Sequence, residues 1–359
     1  MTRVLIVVAS NERRGAEVEG AQLADELCRK GHVAEAVALR AGEPPSLGLP
    51  VLGATPLAAT TLRALRKKAA AFDVVIAYGS TALPACAIAL LGSPTPFVYR
   101  SIGDPAQWVR GRAHRWRTGL LFRRAAHVVA LWPGAAGSIT QLYRVAPGRL
   151  SCIANARPGA GADSEWTREA ARTALGLPAD STVVAWVGRL SEEKQPMLAV
   201  HAVAELRGGF LVIAGDGPLL AGLTSASGRM LPGRHRMLGV VTFLAPVWAA
   251  ADVVLLTSST EGIPGVLIEA GLHGVPAVAT DVGGVGLVVA DGETGRLMDA
   301  GVSPADLAAA VQDVVAHRAE FGAAARRRVE GSFTWASVLP DWLLLLDRVR
   351  SQRRRPRSP

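Results

Sequence analysis

The sequence predicts an α/β protein of two Rossmann-like domains, each a parallel sheet covered by helices. Three observations carry that expectation. Short, nearly continuous apolar strands alternate with amphipathic helices, the pattern of a sheet buried on both faces. The alternation breaks at a stretch rich in Gly, Pro and Ala, from Ala156 to Trp166, and then begins afresh. And 359 residues, half of them hydrophobic and 19% charged, suffice for two cores at about 150 residues per domain.

The elements follow in order. RVLIVVAS, near the start, reads as a strand. A helix from Glu17 to Lys30 has Leu23, Ala24 and Leu27 on one face, with Gly31 as its stop. HVAEAVAL, DVVIAY, TPFVYR and HVVALW read as further strands. The uncharged run from Val74 to Tyr99 is long enough to span a bilayer, but Gly79, Pro84, Gly92, Pro94 and Pro96 cut it into two strands around a helix. Beyond the break, STVVAWVG, FLVIAG, DVVLLTS and VPAVAT are strands, with helices around 195–207, 217–226, 264–273 and 304–318. The last helix, Trp335 to Val349, has no strand after it and is expected to pack back on the first domain. The expected domains are therefore 1–158 and 165–334, then the helix 335–350 and a disordered basic tail, 351–359.

Composition excludes several classes. Cys28, Cys86 and Cys152 are isolated and odd in number, which rules out a disulfide framework or a Cys-based zinc cluster and fits a reducing cytoplasm. The apolar run from Val4 to Ala9 is too short for a secretory signal. Residues 1–165 hold 20 Lys+Arg against 11 Asp+Glu, whereas residues 166–359 hold 19 of each, so the excess of +9 lies in the first domain. With aromatics at only 5%, that charge does not point to nucleic acid. It is concentrated in RGRAHRWRTGLLFRR, Arg110 to Arg124, where six arginines interleave with Trp116, Leu120, Leu121 and Phe122. On a helix this suits a peripheral site on an anionic membrane; the alternative is a solvated helix whose Leu and Phe face the core.

The first strand lacks a dinucleotide fingerprint: NERRGAE supplies a single glycine, Gly15, where a G-x-G-x-x-G is needed. Gly15 still lies at a strand-to-helix turn, where backbone can approach a phosphate or simply turn. The second half is richer. AWVG runs into Gly188-Arg189-Leu190-Ser191, with Lys194 five residues beyond Arg189; two cations on a loop after a parallel strand suit a diphosphate, or a solvated loop. FLVIAG ends in Gly215-Asp216-Gly217-Pro218, a tight turn. DVVLLTS leads into Glu261 and a helix start at Gly262 to Val266, where free amides can hold a phosphate. Glu269, inside that helix, can accept from a pair of ribose hydroxyls, and Glu261 from sugar hydroxyls; two glutamates eight apart also arise by chance on a surface. Gly283 and Gly284 follow another strand and give a further backbone-lined loop.

Together GRLSEEK, GDGP, ADVVLLTS, EGIPGVLIE and GVPAVATDVGG, in that order between Gly188 and Gly284, resemble the retaining glycosyltransferases of the GT-B fold, family 4, the group 1 transferases. FTW at Phe333 to Trp335 also matches, and GAE…LADELCRKGH more loosely. The resemblance implies two parallel sheets facing across a cleft, with an acceptor-binding first domain and a second domain for the nucleotide sugar. It implies that Arg189 and Lys194 neutralise the donor diphosphate, with Gly215, Gly217, Gly283 and Gly284 in the surrounding loops. Gly262, Ile263, Pro264 and Gly265 would line the helix start, Glu269 would bind the ribose, and Glu261 the donor sugar as a catalytic residue. Gly15 would reach the diphosphate from the other domain. The implied reaction moves a sugar from a UDP- or GDP-linked donor to a lipid-linked or glycan acceptor at the inner face of the membrane, with retention. No Asp-x-Asp occurs in the chain, which agrees with a metal-independent site needing no cofactor.

Three departures stand out. Where many relatives carry a His, this chain has Ser101-Ile102-Gly103-Asp104-Pro105, which makes Asp104 the substitute beside the sugar. The usual linker Asn-Gly is Asn155-Ala156, and the glutamate after the paired glycines is Gly286. Competing readings are a nucleotide-sugar epimerase of the same fold, for which no acid–base set is visible, and a non-catalytic sugar-nucleotide-binding protein.

Overall fold

In the computed structural model, which describes residues 1–44, 46–104, 106, 111–159 and 166–354, the chain divides into two units. One comprises Met1–Ala156 with Trp335–Pro359, the other Arg157–Thr334. The division falls before Arg157, two residues ahead of the 158 expected. The Arg157 amide donates to Phe333 O at 2.8 Å, and its side chain contacts Glu269, so the residue belongs to the second unit. Residues 160–165 of the linker lie outside the described residues.

In the first unit the strands are β1 (Arg3–Ser10), β2 (Val33–Arg40), β3 (Val74–Tyr78), β4 (Phe97–Arg100), β5 (His127–Ala130) and β6 (Leu150–Cys152). Every pairing is parallel, in the order β2-β1-β3-β4-β5-β6. Val4 to Val8 are fully buried, as a strand covered on both faces requires. Helices α1 (Gly15–Arg29), α2 (Ala59–Ala69), α3 (Gly79–Ala89), α4 (Arg112–Arg124) and α5 (Pro133–Tyr143) connect them.

The sheet is finished by the end of the chain. Helix α14 (Trp335–Arg354, numbered after the second unit's helices) lays Val338, Leu339, Trp342, Leu346 and Val349 into the same core as Leu23, Leu27, Ile76 and Tyr78. A buried cation fixes this junction. Arg100 Nη2 donates to Glu19 Oε1 at 3.0 Å, Ala154 O at 3.0 Å and Asn155 Oδ1 at 3.1 Å, and its guanidinium lies 5.4 Å from the Trp342 ring centroid. A charge this deep requires such partners. The helix runs on to Arg354, five residues past the expected Val349, so 351–354 are not part of a disordered tail. Arg and Gln are good helix formers, and the sequence has no breaker between Val349 and Pro356. Residues 355–359 lie outside the described residues.

In the second unit β7 (Thr182–Val187), β8 (Gly209–Ala214), β9 (His235–Gly239), β10 (Val253–Leu256), β11 (Ala277–Thr280) and β12 (Gly295–Met298) make a second parallel sheet, in the order β12-β11-β10-β7-β8-β9. Its helices are α6 (Arg168–Leu175), α7 (Pro196–Glu205), α8 (Leu220–Met230), α9 (Ala245–Ala250), α10 (Gly265–Leu272), α11 (Val285–Val288), α12 (Pro304–Ala316) and α13 (Arg318–Ser332). From β7 the chain winds outward to β8 and β9, then returns to β10 and winds the other way. The carboxyl ends of β7 and β10 therefore flank a topological switch point, where open α/β sheets bind ligands. The opposite end of β10 is tied off by Asp252. It accepts from Arg172 Nη2 at 2.8 Å and Val183 N at 2.8 Å, and also pairs with Arg168 and Arg318.

Candidate active site

The loops leaving β7, β8, β10 and β11 are joined by short contacts. Leu190 N donates to Asp216 O at 2.9 Å, binding the β7 loop to the β8 loop. Gly215 has φ +145°, and a Cβ there would come within 1.8 Å of Gly188 O, so only glycine permits the approach. On the other side, Gly284 N donates to Gly262 O at 2.8 Å. Gly283, with φ +60°, would bring a Cβ within 2.0 Å of Glu261 O. Gly215, Gly217, Gly283 and Gly284 thus hold the loops together by backbone, whatever else they contact.

Between these pairs lies the central contact. Lys194 Nζ is 2.7 Å from Glu261 Oε1, and Ser258 Oγ donates to the same oxygen at 2.6 Å. The two loops are stitched beneath it: Ser259 N donates to Glu193 O, and Thr257 Oγ1 contacts Lys194 O and Gln195 O at 2.9 Å each. Trp186 Nε1 on β7 reaches Thr257 Oγ1 at 3.0 Å, so the strand itself fixes the register. Arg189, from the same loop, is exposed and makes no ion pair among the described residues. Ser191 Oγ is buried with no hydrogen-bond partner among the described residues, a feature missed in the sequence because serine in a loop is unremarkable without its burial.

Glu269 follows on α10. Pro264 is the N-cap residue of that helix and Gly265 its first residue, so the helix start adjoins the β10 loop, with Ile263 buried before it. Glu269 Oε1 accepts from Arg157 Nε at 2.6 Å. The sequence places Arg157 in a linker, and nothing in its spacing predicts this partner. Chemically the edge offers cations and free amides for an anion, and two carboxylates that accept from hydroxyls. No cluster of His, Cys, Asp or Glu able to hold a metal ion occurs among the described residues.

Gly15 and Asp104 belong to the first unit. Gly15 is the first residue of α1, at the carboxyl edge of β1, and a Cβ there would meet nothing within 4 Å. Asp104 has both oxygens engaged, Oδ1 by Ala106 N at 2.9 Å and Oδ2 by Ser138 Oγ at 3.0 Å, which fixes the loop to α5. Pro105 beside it lies outside the described residues. His127 packs in the sheet with Nε2 2.8 Å from Ser151 Oγ, and His273 Nδ1 bonds Glu269 O; both are structural.

A family model for glycosyl transferases of group 1 matches residues 181–317, the stretch that carries every contact just described except those of Arg157 and the first-unit residues. Over these residues the chain matches the group 1 glycosyl transferases. Over 174 residues it is 37% identical to the D-inositol 3-phosphate glycosyltransferases of Mycobacterium bovis and Mycobacterium tuberculosis. The match takes in 45% of this chain and 35% of those relatives, so about a third of their length is represented. Solved structures agree in fold across both units. The Anabaena protein HepE, crystallised with UDP and glucose, has a TM-score of 0.83 at 22% identity over 97% of this chain and 100% of its own. Sucrose-phosphate synthase from Thermosynechococcus elongatus reaches 0.84 at 19% identity over 98% and 100%. The fold around the matched residues is thus GT-B, two Rossmann-like units.

Proposed function

We propose that the protein transfers a sugar from a nucleoside-diphosphate donor to an acceptor hydroxyl with retention of anomeric configuration and without a metal. The observation that carries the reading is the Lys194–Glu261 contact at the switch point, with Arg189 exposed beside it. Lys194 and Arg189 meet the diphosphate, Glu261 orients the sugar, and Glu269 accepts from the ribose. The bond from the anomeric carbon to the phosphate oxygen breaks as the acceptor oxygen attacks on the same face. Its proton passes to the leaving phosphate, so no side-chain base is required, and the cations stabilise the charge that develops. HepE was solved with UDP-glucose and the mycobacterial relatives are named for inositol 3-phosphate, which makes UDP-sugars and polyol or glycan acceptors the first to try.

The acceptor is met at an anionic membrane surface. No helix among the described residues is long and apolar enough to cross a membrane, but α4 can lie on one. Phe122 is buried between Tyr99 and Tyr143, so the helix anchors to the core on one side. Trp116 is 68% exposed and Leu120 40%, flanked by exposed Arg112, Arg117 and Arg123 on the other. Arg115 and Arg124, also exposed, donate to Leu142 O and Leu90 O, and Arg110 lies outside the described residues.

Incubation with UDP- and GDP-sugars, followed by NMR of any product, tests the reading. Slow hydrolysis or transfer that retains the anomer is expected; an inverted product, an epimerised donor, or no turnover with any donor contradicts it. Sedimentation with anionic vesicles at low salt should pull down the wild type and fail after Arg112, Arg117 and Arg123 become Ser.

A further inference from the structure

Arg157 is buried, 6% exposed, and belongs to no motif of the domain. Its position is set from three directions. Its backbone amide donates to Phe333 O at 2.8 Å. Its Nε donates to Glu269 Oε1 at 2.6 Å. Its guanidinium lies across the start of α10, so close that a Cβ on Gly265 would come within 1.8 Å of Nη2 and 2.6 Å of Cζ. That is an unusual site for a cation, because the partial charge of a helix N-terminus is positive and repels it. The Glu269 carboxylate offsets that repulsion, and an arginine this buried needs such a partner.

The pairing acts on Glu269 in return. A glutamate on a helix surface samples several rotamers, and ordering it costs conformational entropy at the moment of binding. Here one oxygen is pinned in advance. The Glu269 side chain keeps 32% of its exposure, and a carboxylate has about four acceptor positions, so capacity remains for donors from a ligand. A carboxylate accepts only, as a pair of donating hydroxyls requires.

We propose that Arg157 is a positioning residue that pre-orders Glu269 for the vicinal hydroxyls of the donor ribose, and that residue 265 is glycine to admit its guanidinium. The inference rests on the reading of Glu269 as the ribose acceptor. It predicts a dependence on the ribose, not on the base or the diphosphate.

Calorimetry with UDP and GDP, each against its 2′-deoxy form, tests it on the full chain. The wild type should prefer the ribonucleotide by about tenfold, the worth of one hydrogen bond to a charged group. Arg157→Met and Glu269→Gln should each abolish that preference, and the double variant should lose no more than either alone, as residues acting through one contact do. Gly265→Ala, which displaces the guanidinium without removing it, should reduce the preference as well and serves where Arg157→Met folds poorly. A folded Arg157→Met or Gly265→Ala with the wild-type preference overturns the proposal and leaves Arg157 a structural clamp. A wild type that binds no nucleoside diphosphate sinks the proposed function itself, a different outcome from unaltered ribose selectivity.

Discussion

Lys194 Nζ lies 2.7 Å from Glu261 Oε1, so a cation assigned to the diphosphate and a carboxylate assigned to the sugar already hold each other. The pair joins the β7 and β10 loops across the switch point, and each residue sets the position of the other. Their removal cannot have independent effects.

Arg189 has no such partner among the described residues, which separates its role from that of Lys194. Arg189→Ala should weaken nucleoside-diphosphate affinity by about tenfold and leave the turnover of bound donor nearly intact. Lys194→Ala should weaken affinity and also lower turnover, because Glu261 loses its anchor. Glu261→Ala should lower turnover most, with a smaller loss of affinity because Lys194 loses its partner. Calorimetry with UDP or GDP and single-turnover kinetics distinguish the three, and identical behaviour of Arg189→Ala and Lys194→Ala would contradict the assignment.

Activity should survive EDTA. The sequence has no Asp-x-Asp, and on the proposed reading Arg189 and Lys194 would supply the charge that a divalent ion otherwise brings to a diphosphate. Loss of turnover in chelator, restored by magnesium or manganese, would refute this.

His127 gives the first unit a pH dependence. Burial, with Arg149 and Arg348 adding to it, pushes its pKa down to about 4 from 6.5. Between those values the unfolded chain takes up a proton that the folded chain refuses. The contribution is therefore fully present above pH 6.5 and lost as pH falls toward 4, by about 3 kcal/mol in all. His127→Asn should flatten this loss; urea midpoints at pH 7 and pH 4.5 that shift equally in both proteins would refute it.

Asp252 is the counterpart in the second unit, at the amino end of β10. Asp252→Asn leaves Arg172 and its neighbours without a counter-charge, at a cost of about 3–5 kcal/mol. The melting temperature should drop by several degrees. A change within error would mean that solvent compensates the arginines.

Much of this was legible in the sequence, and the exceptions have a common cause. The nine strands expected from apolar runs all occur, RVLIVVAS to the residue. The three not expected, β6, β9 and β12, are edge strands, exposed along one side and so lacking a continuous apolar run: HRMLG and GRLM look like loops. Among the site residues, those after strands in the second unit lie together because a parallel sheet aligns its carboxyl ends. Arg157 could not be anticipated, since its partner Glu269 is 112 residues away and only folding brings the two together. The buried Ser191 hydroxyl was hidden for a related reason, as burial is a property of three dimensions.

The placement of Trp342 in the core beside Tyr78 bears on how the protein is made. The ring centroids are 6.5 Å apart, yet the second unit is synthesised in full between them. On a ribosome the first unit must therefore wait, its sheet uncovered on the face that Trp342, Leu346 and Val349 will close. The second unit, uninterrupted from Arg157 to Thr334, can fold as soon as it emerges. The unit made first is thus completed last, and through that interval its unshielded apolar surface is the part of the nascent chain most in need of a chaperone.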